Sequence, residues 1–436
     1  MLNDTICAVS TALKEGAISI VRLSGEEAFR IIKEISDLKE IVPNTIRYTH
    51  IYDQEEMLDE VLVSCFKAPH SYTAEDLVEI NCHGGIYVTR TILNLLIKKG
   101  CRPAEPGEFS KRAYLNGRLD LSQAESANDL IKAANSLQAR SALRGLNGSL
   151  EKLLDPLLLE MKNIIAMIEV NIDYPEYEDE IEMTAEQIAP AVTKWIVWEE
   201  NMIRKAERFR TVKDGLDTVI IGKPNVGKSS LLNALLGEDK AIVTDFAGTT
   251  RDLVEGKAIL DNVILNLTDT AGIRESNDIV EAIGIQKSKE ALAKADLVLL
   301  VMDGANIDEE DQRLLKLSEG SKRLIVYNKK DLCPHDGINI SAKENDISML
   351  VDYLNEHYAD AIALADEDIL NNERQIALMK RSLTALKELN AALSTLPLDV
   401  IFEDLMESYH RLCEILGKEY QEDLIDHMFR NFCLGK

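Results

Sequence analysis

The stretch GKPNVGKSS at residues 222–230 constrains this chain more than any other. It follows the apolar run LDTVIIG and precedes the helix-forming SSLLNALLG, which is the strand–loop–helix setting that a G-x-x-x-x-G-K-[ST] phosphate loop requires. Gly222 and Gly227 let the backbone curl so that its N–H groups face phosphate oxygens. Lys228 reaches the β- and γ-phosphates, and the Ser229 hydroxyl suits Mg2+. Asn225, Val226 and Ser230 belong to the same loop. A phosphate loop of this kind sits on a buried parallel sheet, and ADLVLLVMDG and KRLIVYN are apolar runs of the type that fills one. An α/β domain over residues 212–361 follows.

Further motifs occur in the order such a domain needs. The segment 244–250 (Thr244, Asp245, Phe246, Ala247, Gly248, Thr249, Thr250) leads into Arg251 and Asp252 and supplies a switch threonine. Asp269, Thr270, Ala271 and Gly272 end a strand and give a Walker-B-type aspartate. NKKD at 328–331 ends another strand and resembles the guanine-reading motif of Ras-like GTPases. Asn328 and Lys329 frame Asp331, whose carboxylate would accept from guanine N1 and N2, a pairing adenine cannot offer. Ser341, Ala342 and Lys343 resemble the backup guanine loop. Together these imply GTP binding.

One position is anomalous. After Asp-Thr-Ala-Gly many GTPases place a glutamine that orients the attacking water; here it is Ile273. Either the domain is a binding switch with negligible hydrolysis, or charge and water are handled elsewhere. A monovalent cation held by the Asn225 amide and backbone carbonyls of 244–250 could neutralise charge in the transition state. Glu281 could position water through a second molecule, or be an exposed acid at a helix start.

At 436 residues several domains are expected. Residues 1–118 alternate strand-like runs (17–25, 56–66) with helices (84–100) and read as an α+β module; 119–211 and 362–436 read as two parts of a helical domain. Ser122 and Glu125 stand in capping-box spacing at the first helix of that domain. The formal charge of −26 argues against broad nonspecific nucleic-acid binding and against anionic membranes, although residues 86–146 carry ten Lys/Arg against five acids. Seven cysteines without a CxxC pair point to reduced thiols in the cytoplasm, a start with neither a basic segment nor an apolar run after it reads as no signal peptide, and the longest apolar stretches, such as LVLLVM at 297–302, are too short to span a bilayer.

GKPNVGKSS, TDFAGTTRD, DTAGIRE and NKKD, together with GAISIVRLSG, SYTAEDLVEINCHGG, PGEFSKRAYLNGRLDLSQAE and the final FCLGK, resemble the tRNA modification GTPase family MnmE (also called TrmE) over essentially the whole length. The resemblance implies a multidomain fold of α+β and α/β parts: a folate-binding, dimerising N-terminal domain, and a helical domain interrupted by an inserted Ras-like P-loop G domain. It implies a homodimer that forms a heterotetramer with the FAD-dependent MnmG (GidA). That complex would install an aminomethyl or carboxymethylaminomethyl group at C5 of the wobble uridine of certain tRNAs, using a 5,10-methylene- or 5-formyl-tetrahydrofolate. GTP hydrolysis in the family is potassium-stimulated.

Carried onto this sequence, the resemblance implies K+ on Asn225, Thr244, Phe246 and Thr249, Mg2+ on Ser229 and Thr250, and indirect water orientation by Glu281. Arg251, Asp252 and Arg274 match switch residues that support G-domain pairing. Arg22, Glu79, Arg118 and Lys436 match folate contacts, and Cys433 is a candidate thiol near the folate. STALKEG at 10–16 departs from the Pro-Pro-Gly turn of the family. The other reading is a ribosome-assembly or RNA-binding switch GTPase, which in its Era-like form carries a C-terminal KH module with a G-x-x-G loop; here the C-terminus reads EDLIDHMFRNFCLGK.

Overall fold

A computed structural model describes residues 4–173, 185–237, 256–260, 263–269, 292, 295–393, 395, 397–418, 429, 432 and 435. The chain divides into two units: 1–131 with 146–173 and 402–436, and 132–145 with 174–401.

In the first unit, β1 (Ile6–Val9), β2 (Ile18–Ser24), β3 (Thr45–Asp53), β4 (Glu56–Phe66), β5 (Leu77–His83) and β6 (Arg102–Pro103) form one sheet in the order β3-β4-β5-β2-β1-β6. All neighbours are antiparallel except β1 and β6. The alternation of side chains decides what each face does. Val21, Leu23, Val61, Val63, Val78, Ile80 and Cys82 point to one face, where α1 (Ala28–Glu34) and α2 (Ile86–Lys98) cover them with Ile31, Ile32, Ile92, Leu95 and Leu96. The register places Arg22 opposite Glu79, Glu79 opposite Ser64, and Ser64 opposite Ile46. The next row is Ile20, Asn81, Leu62 and Tyr48. This second face carries exposed Ile18, Ile46, Tyr48 and Leu62.

The helices α3 (Glu108–Leu115), α4 (Leu121–Lys132) and α6 (Ser149–Asp173) follow in this unit, while α5 (Ser136–Leu146) falls almost wholly in the second. A buried charge network ties α3 to the sheet. Arg112, 1% exposed, donates to the Asp4 carbonyl at 2.8 Å, the Asp4 carboxylate at 2.6 Å, Glu108 at 3.2 Å and Glu75 at 3.2 Å. The capping box of α4 lies two residues before the Ser122–Glu125 pair that the sequence suggests. Asp120 Oδ1 accepts from Gln123 N at 2.7 Å, and Gln123 Oε1 accepts from Asp120 N at 2.9 Å. Asp120 wins because it is an N-cap acid with a glutamine at N3, and this makes Leu121 the first helical residue.

In the second unit α7 (Ala185–Asp214) runs directly into β7 (Leu216–Ile221). With β8 (Gly256–Ile259), β9 (Ile264–Asp269), β10 (Leu297–Asp303), β11 (Arg323–Asn328) and β12 (Ile338–Ile340) it makes a sheet of order β12-β11-β10-β7-β9-β8. Every pair is parallel except β8 with β9. Val298, Leu299, Leu300 and Val301 are all fully buried, as a parallel strand covered on both faces requires. α8 (Lys228–Leu236) and helices Glu309–Leu317 and Ser348–His357 accompany the sheet, and α7 packs along helix Glu373–Ala392. Among the described residues no helix is long and apolar enough to cross a membrane.

Candidate functional site

The chain leaves β7 for β9 on one side and later returns to β10 on the other, so the carboxyl end of β7 is a topological switch point, where open α/β sheets bind ligands. The phosphate loop occupies that point. Two close approaches fix its shape. A Cβ on Gly222 would lie 2.4 Å from the Val301 carbonyl, and one on Gly227, at φ +98°, would lie 2.2 Å from Asn328 Nδ2. Asn225 takes φ 63° and is exposed at the loop tip, and Ser229 is exposed in the first turn of α8. Lys228 Nζ donates to the carbonyls of Gly222 and Lys223, both at 2.9 Å.

Asn328 joins this loop to the 341–342 loop. Its Nδ2 donates to the Val226 carbonyl at 2.8 Å, and its Oδ1 accepts from Ala342 N at 3.0 Å. Being 4% exposed, it acts as a staple between the two loops. Asp331 is exposed, with its Oδ1 3.4 Å from the Ser341 hydroxyl. Lys329, at φ 65°, donates to Asp303 Oδ2 at 2.6 Å. That lysine, opposing burial, holds the Asp303 carboxyl below its usual range. Lys223, the second residue of the phosphate loop, is almost fully buried and meets Asp308 and Asp311 at 2.8 and 3.0 Å. Asp308 chiefly raises its pKa. Motif matching does not flag Lys223, because it stands at a variable position of the pattern.

Asp269 ends β9 beside Ile220. Thr244, Asp245, Phe246, Ala247, Gly248, Thr249, Thr250, Arg251, Asp252, Thr270, Ala271, Gly272, Arg274, Glu281, Cys433 and Lys436 lie outside the described residues.

A second site forms on the first sheet. Arg22 donates to Glu79 Oε1 at 3.0 and 2.7 Å and to the Gly435 carbonyl at 3.1 Å. Ser10 Oγ donates to the same carbonyl at 3.1 Å. The Arg22 guanidinium lies 5.5 Å from the ring centres of both Tyr72 and Phe109, and Arg118 lies 5.1 Å from that of Tyr72. Arg118, Tyr72, Gln123 and Leu146 line a cleft of about 380 Å³. Sequence reasoning misses Tyr72 and Phe109, although both stand inside the quoted SYTAEDL and PGEFS segments. Loop 10–16, which departs from the family turn, is anchored at both ends: Ser10 N donates to Ile20 O at 2.8 Å and Gly16 N to Gly84 O at 3.0 Å.

The basic stretch 86–146 is largely neutralised. Lys98, Lys99, Arg102, Arg112, Arg140 and Arg144 are ion-paired with Asp53, Glu34, Asp4 and Glu108, Glu75, Asp366 and Asp368.

Residues 5–118 match the family model described as the GTP-binding protein TrmE N-terminus, and residues 121–433 match the MnmE helical domain. A tRNA modification GTPase MnmE of Lactococcus lactis subsp. lactis is 47% identical over 99% of this chain and 98% of its own length. One from Streptococcus pyogenes serotype M28 is 46% identical over the same shares. Among solved structures, a variant of Era from Aquifex aeolicus bound to GDP and AlF4– is 25% identical, covering 39% of this chain and 66% of its own at a TM-score of 0.26. The FeoB G-domain from Methanococcus jannaschii is 23% identical, covering 34% of this chain and 98% of its own at a TM-score of 0.24.

Proposed function

The chain belongs to the MnmE family of tRNA modification GTPases, and on that premise we propose that it is the GTP-hydrolysing subunit of a cytoplasmic complex that modifies C5 of the wobble uridine of certain tRNAs. The observation that carries this reading beyond a generic G domain is Arg22, which donates both to the Gly435 carbonyl and to Glu79. It puts Gly435 against an arginine beside two aromatic rings, on a domain that a stand-alone switch GTPase would not need. Arg22, Glu79, Arg118 and Lys436 would hold a tetrahydrofolate, which when bound supplies the one-carbon unit. A guanidinium held between two rings and paired to a carboxylate suits a flat, polar heterocycle bearing carboxylates. Cys433 is a candidate participant near that ligand.

In the G domain, Lys228 and Ser229 would engage the β- and γ-phosphates and Mg2+, with Thr250 as the second Mg2+ contact. Asn225, exposed at the loop tip, can offer its amide to a K+ shared with the carbonyls of Thr244, Phe246 and Thr249. Such an ion offsets charge developing in the transition state. Glu281 would orient water indirectly, and Arg251, Asp252 and Arg274 would support pairing of two G domains.

The homodimer finds support in the first sheet. Exposed Ile18, Ile46, Tyr48 and Leu62 share the face that carries Arg22 and Glu79, and a second copy seated there would cover an apolar surface beside the folate site. The FAD-dependent partner MnmG would complete the heterotetramer and would supply part of the tRNA affinity that the neutralised basic stretch does not.

GTP turnover by the full chain in matched KCl and NaCl, beside Asn225→Ala, tests the mechanism. Potassium stimulation that vanishes in the variant is expected. Equal slow turnover in both salts would overturn the cation mechanism, and failure to modify tRNA when reconstituted with the flavoprotein partner would overturn the function.

A further inference from the structure

Lys223 is a lysine inside a phosphate loop that cannot serve a phosphate. Its ammonium has three donors, and all three find acceptors away from the nucleotide side. These are the Asn306 carbonyl at 2.5 Å, Asp308 Oδ2 at 2.8 Å and Asp311 Oδ2 at 3.0 Å. Asp308 also caps helix Glu309–Leu317, accepting from Glu310 N at 2.9 Å and Asp311 N at 3.4 Å, while Asp308 N donates to Asp311 Oδ2 at 3.0 Å. The acceptors are therefore rigid. Asp311 is fully buried, and its other oxygen has no hydrogen-bond partner among the described residues.

The backbone of Lys223 has a different partner. Its carbonyl, with that of Gly222, holds the ammonium of Lys228 at 2.9 Å. The side chain thus fixes the peptide that seats the phosphate-binding lysine. The same 303–311 segment receives Lys329 of the guanine-reading motif through Asp303.

We propose that Lys223 is a positioning residue for GTP. Its strut to Asn306, Asp308 and Asp311 sets the Gly222 and Lys223 carbonyls that aim Lys228 at the β- and γ-phosphates. The proposal rests on the chain being a GTPase, which wild-type turnover checks independently.

The test is Lys223→Met in the full chain, with binding of GDP and GMP and GTP turnover measured together. GDP carries a β-phosphate for Lys228 and GMP does not. Misplacing Lys228 should weaken GDP binding and lower kcat/KM for GTP by about 10- to 100-fold, while GMP binding stays within about threefold. Lys223→Arg, which can still fork onto the two carboxylates, should recover most of the loss. Unchanged GDP binding, an equal loss for GMP, or no recovery by arginine would overturn the proposal. Because Lys223→Met strands a buried carboxylate, Lys223→Met/Asp311→Asn is measured beside it. The loss should persist in that pair, and a return to wild-type GDP affinity would show that only charge balance mattered, overturning the proposal.

Discussion

Replacing Glu199 by glutamine should stabilise the helical part of the second unit at neutral pH and flatten its response to pH. Glu199 lies in α7 with no solvent exposure. One carboxyl oxygen accepts from the buried Ser382 hydroxyl at 2.8 Å, and the other has no hydrogen-bond partner among the described residues. Burial pushes its pKa up to about 8, against an ordinary 4.5, with Ser382 opposing the rise. Below pH 4.5 the carboxyl is neutral folded or unfolded, and the site contributes its full stability. Between pH 4.5 and 8 the folded chain keeps a proton that the unfolded chain releases, so stability falls by about 1.4 kcal/mol per pH unit. At pH 7 the loss is about 3 kcal/mol, from 2.5 units, and it levels off above pH 8. Glutamine keeps the acceptor for Ser382 and removes the titration, but its amide N–H2 needs partners, which costs about 1–3 kcal/mol. The net gain at pH 7 should be up to about 2 kcal/mol. The two tryptophans of the chain, Trp195 and Trp198, both lie in α7, so fluorescence-monitored urea unfolding reads this element directly. The wild-type midpoint should fall from pH 5 to pH 8 and that of Glu199→Gln should not. A flat wild-type profile, or a variant that keeps the slope, would refute the reasoning.

Other outcomes follow from the site. Asn328→Ala strands the Val226 carbonyl and the Ala342 N–H, each at a cost of about 1–3 kcal/mol, so GDP affinity measured by calorimetry should drop at least about tenfold. Asp331→Asn turns the acceptor that would face guanine in the proposed site into a donor. GTP binding should weaken by about 100-fold while xanthosine triphosphate gains, and equal behaviour toward both nucleotides would contradict the assignment. Gly435→Ala, at φ +87° with a Cβ 2.5 Å from the Val9 carbonyl, should abolish binding of a tetrahydrofolate to the full chain while leaving GTP turnover within about twofold.

The G domain is legible in the sequence because its chemistry sits at strand ends, where apolar runs meet glycine and polar residues. GKPNVGKSS begins one residue after β7, and NKKD starts on the last residue of β11. Strands 56–66 and 17–25 are equally plain, the first matching β4 residue for residue. β3 is not, since Ile46 and Tyr48 place apolar side chains on the uncovered face and blur the period-two pattern. On helix Glu373–Ala392 the apolar residues Ile376, Met379, Leu383 and Leu386 recur at helical spacing in the sequence, and three of the four are buried. Leu383 is only half-buried, and the buried face includes Ser382 instead, because it answers Glu199. Long-range polar pairings of this kind leave no local trace. The same holds for Arg22 between Tyr72 and Phe109 and for Lys223 against Asp308: each residue type is common, and only the fold brings the partners together.

The Asn328 amide has a consequence for how nucleotide choice can drift. One planar group touches the phosphate loop with its nitrogen and the 341–342 loop with its oxygen, so the two loops are held at a fixed span, against which the proposed site would gauge the ends of a nucleotide. On the proposed site, exchanging the base through Asp331 leaves that span alone, since among the described residues Asp331 is hydrogen-bonded to Ser341 across 3.4 Å and not to Asn328. Exchanging Asn328 alters it for every nucleotide alike. On that site base preference would be a replaceable label at the rim, while the distance from base to phosphate would be a property of the scaffold, and substitutions should separate the two.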